Sequence, residues 1–430
     1  MSQTETVNRI HLNPRLEGVR PSATLAINER CARLKAQGRK IYHFGFGQSP
    51  FPVPDAVVAS LQANAFRGGY LPVKGLPDLR QAVAEYHRRF TQIAASPDGI
   101  LIGPGTKELI FLLQLTFEGD LLIPSPSWVS YEPQAVLLGR DVFRLETEKG
   151  NGWRLTSETL DRFCREQAWH PRLLILNDPN NPTGLSFKES ALHDIALVAR
   201  EHRLVVLSDE IYAELKHSGG HISIAKFYPE GTIVSTGLSK WCSAGGWRLG
   251  TFCFPPDLYR LLDAMATVAS ETYTAVSTPT QYAAVTAFNG GGEVERYVMQ
   301  TRRILRDLGA AVTRGLRAAR VDVHAPEGAF YVFPDFSVQQ ENLRRRRIRS
   351  SEDLCERLLA DTGVAMLPGS DFGRPATEMT SRIAYVNFDG ARCLAAAREV
   401  PDGNELSEDF LRRYCGEVLE AVDLIGDWVC

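Results

Sequence analysis

The chain has eight cysteines but no C-x-x-C pair, so it encodes neither a zinc cluster nor a dithiol redox site. Scattered thiols of this kind suit a reducing compartment. No apolar run approaches the roughly 18 residues that a membrane span needs. The opening "MSQTETVNRIHLNPRLEGVR" lacks the apolar stretch of a secretory signal, and the expectation is a cytoplasmic protein. Charge of one sign is also scarce. A net charge of -3 over 430 residues sets up no field that would gather nucleic acid or anionic lipid. The one basic run, Arg344 to Arg349 in "LRRRRIRS", stands in a mildly acidic chain and reads as a solvated insertion. No internal repeat is present. Small-molecule chemistry remains, in a chain whose 44 % hydrophobic and 23 % charged residues suffice for a large core.

The organisation follows from pattern and punctuation. Ser22 stands where it would cap a helix over "ATLAINERCARLKA", and "IYHFGFGQSPFPVP" reads as a strand running into a loop that Pro50, Pro52 and Pro54 keep from being helical. In "LPDLRQAVAEYHRRF", Leu76, Leu79, Val83 and Tyr86 share one helical face. From about residue 100, short apolar runs ("GILIG", "GDLLIPS", "PRLLILN", "RLVVLSD", "GTIVSTG", "TFCF") alternate with helical stretches. That alternation predicts βα units around a mostly parallel, two-sided sheet, with ligands beyond the strands' C-terminal ends. "FNGGGEVERYVMQTRRILRDL" predicts a long amphipathic helix leading into a second, smaller domain. The expected division is residues 1–60 as a segment contributing to the small domain, 61–300 as the large domain and 301–430 as the small domain.

Candidate chemistry gathers where the strands end. Lys240 in "STGLSKWCSAGGWRLG" follows an apolar strand, and its amine has the reach to form a Schiff base with a carbonyl. "GPGTKEL" places Gly105, Thr106 and Lys107 at a glycine turn opening a helix, where free amides suit a phosphate. Arg248 is a bidentate phosphate partner, helped by a hydroxyl such as that of Ser239. Asp209 ends a buried strand, where it either caps the next helix or meets a cation such as a protonated pyridine nitrogen. Trp128 suits a ring stack, and Asn181 and Tyr212 suit a ring oxygen, although each also fits plain turn or core packing.

In order along the chain, "PSATLAINE", "GYLPVKGLPDLRQAVAEYH", "PNNPTG", "SDEIY", "SKWCSAGGWRLG", "GAFYVFPDF" and "SRIAYVNF" resemble the class I/II aminotransferases, fold type I pyridoxal-phosphate enzymes similar to aspartate aminotransferase. The resemblance spans nearly the whole chain. It implies a large three-layer αβα domain with a smaller α/β domain formed by both termini. It further implies pyridoxal 5'-phosphate held as an aldimine on Lys240, and ping-pong transfer of an α-amino group from an amino acid to a 2-oxo acid.

Position by position, the resemblance assigns Asp209 to the pyridine nitrogen, Asn181 and Tyr212 to the phenolate oxygen, and Trp128 to the ring face. Gly105, Thr106, Lys107, Ser239 and Arg248 fall to the phosphate. Tyr70 reaches the phosphate from a neighbouring subunit, implying a homodimer with shared active sites. Arg382 and Gly47 take the substrate α-carboxylate, beside Trp128 and Asn181. Three departures bear on substrate: "GQSPF" where many relatives have an acidic residue and no match for a second arginine reading a dicarboxylate, which leave a preference for aspartate unsupported by the sequence, and a long insert in "VNFDGARCLAAAREVPDGNELSEDF" expected to border the pocket. The same cofactor also serves lyases, cyclases, decarboxylases and oxidases, which stand as the alternative outcome.

Overall fold

The computed structural model describes residues 11, 13–16 and 21–430. A seven-stranded sheet organises the larger part: Ile100–Gly103 (β1), Asp120–Ser125 (β2), Val142–Glu146 (β3), Arg172–Asn177 (β4), Val205–Asp209 (β5), Thr232–Gly237 (β6) and Gly250–Cys253 (β7). Its order is β1-β7-β6-β5-β4-β2-β3, and only β7 runs antiparallel to its neighbours. Strand alternation splits the core between the two faces. Leu121, Ile123, Leu173, Ile175 and Leu207 pack with Leu109, Leu113 and Met265 on one side. Leu122, Leu174, Leu176 and Val206 pack with Leu192 and Ile195 on the other. Each such leucine, fully buried, contributes about 1.5–3 kcal/mol. Two-sided burial explains why β4 reads as an unbroken apolar run.

The helices confirm the punctuation with one exception. Pro77–Phe90 buries Leu79, Val83 and Tyr86. Ser22 occupies the N-cap position of Ala23–Ala36, but its side chain accepts no capping hydrogen bond. The predicted long helix runs Gly292–Ala318, and more than half of its 27 residues are buried. It leads to a three-stranded antiparallel sheet in which Ser381–Ala384 lies between Leu367–Pro368 and Tyr331–Val332. The early strand Tyr42–His43 pairs in parallel with Val364–Ala365, so the start of the chain is fastened to its last quarter. The basic run is solvated as read: Arg344, Arg345, Arg346, Arg347 and Arg349 are all exposed.

The insert after Asp389 corrects an expectation. It forms Gly390–Ala397 and Glu408–Tyr414, and none of residues 390–414 lines the central cavity described below. Gly390 instead packs directly against the Pro50 carbonyl, where a β-carbon would come within 2.2 Å of the oxygen. The insert therefore braces the back of the 45–52 loop.

Candidate active site

Strand ends deliver the candidate residues to one rim. Trp128, Asn181, Tyr212 and Lys240 follow the last residues of β2, β4, β5 and β6 by three or four positions, and Asp209 is itself the last residue of β5. With Thr106, Lys107, Ser239 and Arg248 they line a cavity of about 530 Å³, closed from the other side by Gly47, Tyr331 and Arg382. That volume suits a cofactor and a small substrate together.

Asp209 is 4 % exposed, and its Oδ2 accepts a 2.6 Å hydrogen bond from the Tyr131 hydroxyl. Among the described residues its Oδ1 is buried with no hydrogen-bond partner. Burial pushes the carboxyl up to about 6, against the stabilising pull of Tyr131. A buried carboxylate oxygen without a partner is costly, and a cationic ring N–H supplies what it lacks.

Lys240 Nζ donates to the Gly47 carbonyl at 2.7 Å and lies 5.5 Å from the Tyr212 ring centroid. Desolvation, followed by the nearby Arg382 guanidinium, lowers its amine to about 8. A substantial neutral fraction, and hence a competent nucleophile, exists near neutral pH. The Tyr212 hydroxyl lies 2.8 Å from that of Tyr331, and burial holds the Tyr212 phenol well above its ordinary range.

The phosphate end is a helix start. Gly105 has φ +90 and precedes the helix Thr106–Thr116, which has no side-chain cap, so its first amides are free. A β-carbon on Gly105 would come within 2.3 Å of Arg248 Nη2, so both backbone angle and space require glycine there. Arg248 donates to the carbonyls of Gly245 (2.8 Å) and Pro104 (3.2 Å), which hold its guanidinium beside that helix start. Lys107 Nζ stands 5.1 Å over the Trp128 ring, its amine lowered by burial and then by Arg248.

Arg382 is 1 % exposed in the middle strand of the small sheet. It donates to the Gly45 carbonyl at 2.6 Å and to Asn181 Oδ1 at 3.2 Å, while its Nε has no partner. Burial lowers it, yet a guanidinium remains charged. A cation held by two neutral acceptors is prepared for an anion. Gly47 admits no side chain, because a β-carbon would come within 2.1 Å of the Tyr331 hydroxyl.

Every residue assigned from the sequence reaches this site except Tyr70, which is 92 % exposed and lines no part of the cavity in its own chain. Gly105 acts from behind Arg248 rather than as part of the lining. The sequence reading did not assign Tyr131, Tyr331, Asn177, Ser22, Thr24, Leu25, Phe46 or Gln48 to the site, yet all of them line the cavity. Asn177 has a positioning part, since its Oδ1 accepts from the Asn181 amide at 2.7 Å.

Comparison with known proteins agrees with this geometry. The family model described as aminotransferase class I and II matches residues 39–398. An aspartate aminotransferase of Bacillus sp. (strain YM-2) is 34 % identical over 386 residues, covering 87 % of this chain and 95 % of that protein. An aspartate/prephenate aminotransferase of Thermus thermophilus is 32 % identical, covering 84 % of this chain and 91 % of its own length. The solved structure of aspartate aminotransferase from Thermus thermophilus with maleate superposes with a TM-score of 0.81 at 29 % identity, covering 96 % of this chain and all of that one. Among the described residues no helix is long and apolar enough to cross a membrane. With a buried acid lacking a partner, an amine lowered by desolvation and an arginine prepared for an anion around one cavity, the chain belongs to the class I and II aminotransferases and is a pyridoxal-phosphate-dependent aminotransferase.

Proposed function

We propose that the cavity holds pyridoxal phosphate between Trp128 and the strand ends and transfers amino groups from an acidic 2-amino acid. The observation that carries the cofactor placement is the bare Oδ1 of Asp209 at the cavity floor. The bound cofactor supplies an aldehyde carbon and an electron-withdrawing ring. The free amides of Thr106 and Lys107, the Arg248 guanidinium and the Ser239 hydroxyl hold its phosphate. Asp209 keeps the ring nitrogen protonated. Asn181 and the Tyr212 hydroxyl donate to the ring oxygen. Arg382 and the Gly47 backbone take the donor's α-carboxylate, which places the α-carbon over Lys240 Nζ. There the amine, part of it neutral because its pKa is lowered to about 8, would take up and hand on the α-proton.

The donor's distal group meets the remaining wall. Among the described residues no guanidinium besides those of Arg248 and Arg382 lines the cavity. Lys107 is the cation left over, and Ser22 contributes a hydroxyl that its helix does not use as a cap. With Thr24 they offer a cation and two hydroxyls to a second carboxylate, and the relatives compared above have aspartate in their names. A half-reaction screen of amino donors, read by cofactor absorbance, tests this. Aspartate is expected to convert the cofactor fastest, and Lys107→Ser to lower the aspartate rate about tenfold while leaving alanine within about twofold. Faster conversion by neutral donors, or equal losses for both, sinks the acidic reading.

Tyr70, 92 % exposed in its own chain, is read as reaching the phosphate of a second copy. A homodimer in light scattering, and activity recovered when a Tyr70→Phe chain is mixed with a Lys240→Ala chain, are the expected results. A cytoplasmic location fits the chemistry of its free amino and oxo acid substrates.

A further inference from the structure

The residue after Asp209 is a second buried carboxylate that the reaction does not use. Glu210 has a side chain 1 % exposed, and His221 Nε2, on a side chain with no exposure, lies 3.0 Å from its Oε2. Its Oε1 accepts from the Ser208 hydroxyl at 2.7 Å and from the Ser223 hydroxyl. Phe90 covers the imidazole in a stacked arrangement, 6.4 Å between centroids. Successive residues at a strand end face opposite ways, so Glu210 looks away from the cavity that Asp209 enters. The peptide between the two is pinned on both edges. The Asp209 carbonyl accepts from Asn177 Nδ2 at 2.8 Å and from the Asp178 amide at 3.1 Å, and the Glu210 amide donates to the Ser235 carbonyl at 2.9 Å. A buried ion pair is no gain over apolar packing of the same volume, so stability alone does not account for it.

We infer that Glu210, held by the Ser208 and Ser223 hydroxyls with His221 beside its other oxygen, is a positioning residue that fixes the orientation of the Asp209 carboxylate through the peptide they share and sets a second carboxylate next to it. The inference rests on the reading of Asp209 given above. Around Glu210 the titratable groups are Tyr86 and His87 from the helix Pro77–Phe90, Asp178 after β4, Cys253 on β7, and Asp209 and His221 themselves. Among these, burial lowers His87 to about 4 and leaves it neutral in the working range, while His221 is held above its ordinary value by Glu210. On Asp209 burial is the main upward push, to which the Glu210 charge adds, while the Tyr131 hydroxyl, the Ile211 amide and the Lys240 ammonium pull the other way.

The test measures pyridoxal-phosphate affinity of the apo chain by fluorescence from pH 5 to 8, with circular dichroism to confirm folding. Glu210→Gln keeps the hydroxyl anchors but removes the charge. Affinity at pH 8 should stay within about threefold, and the acid limb of the affinity profile should move to lower pH. Glu210→Ala removes the anchors, and the folded variant should lose about tenfold or more in affinity. An unmoved acid limb in Glu210→Gln, or unchanged affinity in folded Glu210→Ala, overturns the inference. Asp209→Asn separates the two readings: it should weaken binding and abolish the acid limb. If it does neither, the assignment of Asp209 has failed, whatever Glu210 does.

Discussion

The two walls of the cavity are built on different principles. The inner wall (Asn181, Asp209, Tyr212, Lys240) sits at the ends of sheet strands, where register fixes Asn177 opposite Asp209 and Asp209 opposite Ser235. Asn181, Asp209 and Tyr212 are buried and tied to their neighbours. The outer wall (Ser22, Thr24, Leu25, Phe46, Gln48) comes from a helix start and a loop, and Leu25 is 52 % exposed. On the proposed assignment, groups that move protons are held where the fold is stiffest, and groups that meet the substrate's side chain stand where substitution disturbs least.

Substitutions graded from the inner wall outward test that contrast. Lys240→Ala should remove the covalent link and the proton shuttle together, lowering kcat at least about 10³-fold and abolishing the cofactor's aldehyde-lysine absorbance. Arg382→Gln should lower kcat/KM by about 10²-fold, near 3 kcal/mol, for every donor alike, because the α-carboxylate is common to them. A loss confined to one donor would break the distinction between the walls.

Asp209→Asn is expected to stabilise the apo protein while weakening the holo form. The folded carboxyl lies at about 6, above its ordinary 3.8, so its contribution is favourable below 3.8 and is lost as pH rises through 6. Above that the buried charge is a cost, and the amide removes it. The apo variant should gain about 2 kcal/mol by pH 7, with the gap absent at pH 4, in thermal unfolding. The smallest effect belongs to the outer wall. Phe46→Ala should change kcat/KM for bulky donors by less than about tenfold and leave cofactor affinity untouched.

How much of this was legible in the sequence follows the same contrast. Strand-end residues are announced by an apolar run followed at once by a polar group, which exposed Asp209, Lys240 and Asn181. Tyr131 gave no such signal. It stands one turn into "SWVSYEPQ" and reads as a helix residue packing on the sheet, and only the fold brings its hydroxyl to Asp209. Tyr331 reads as small-domain core in "GAFYVFPDF"; it is buried, in a cluster that also holds Val234 and Trp241, and its hydroxyl reaches Tyr212. Ser22 matched a capping pattern, but its side chain accepts no capping hydrogen bond and the residue lines the cavity, which local spacing does not reveal. The edge strand Val142–Glu146 escaped because one neighbour and partial exposure leave a mixed pattern in place of the apolar run of β4.

The pairing of Tyr42 with Val364 spans 322 positions (364 minus 42). Synthesis at about 5–20 residues per second delivers the later strand on the order of tens of seconds after the earlier one. The loop carrying Gly47 therefore leaves the ribosome with no partner and gains one only after every strand of the seven-stranded sheet has emerged. Binding competence arrives last, when Arg382 emerges and captures the Gly45 carbonyl. A nascent chain stalled before that residue would own a finished scaffold and no grip on an amino acid.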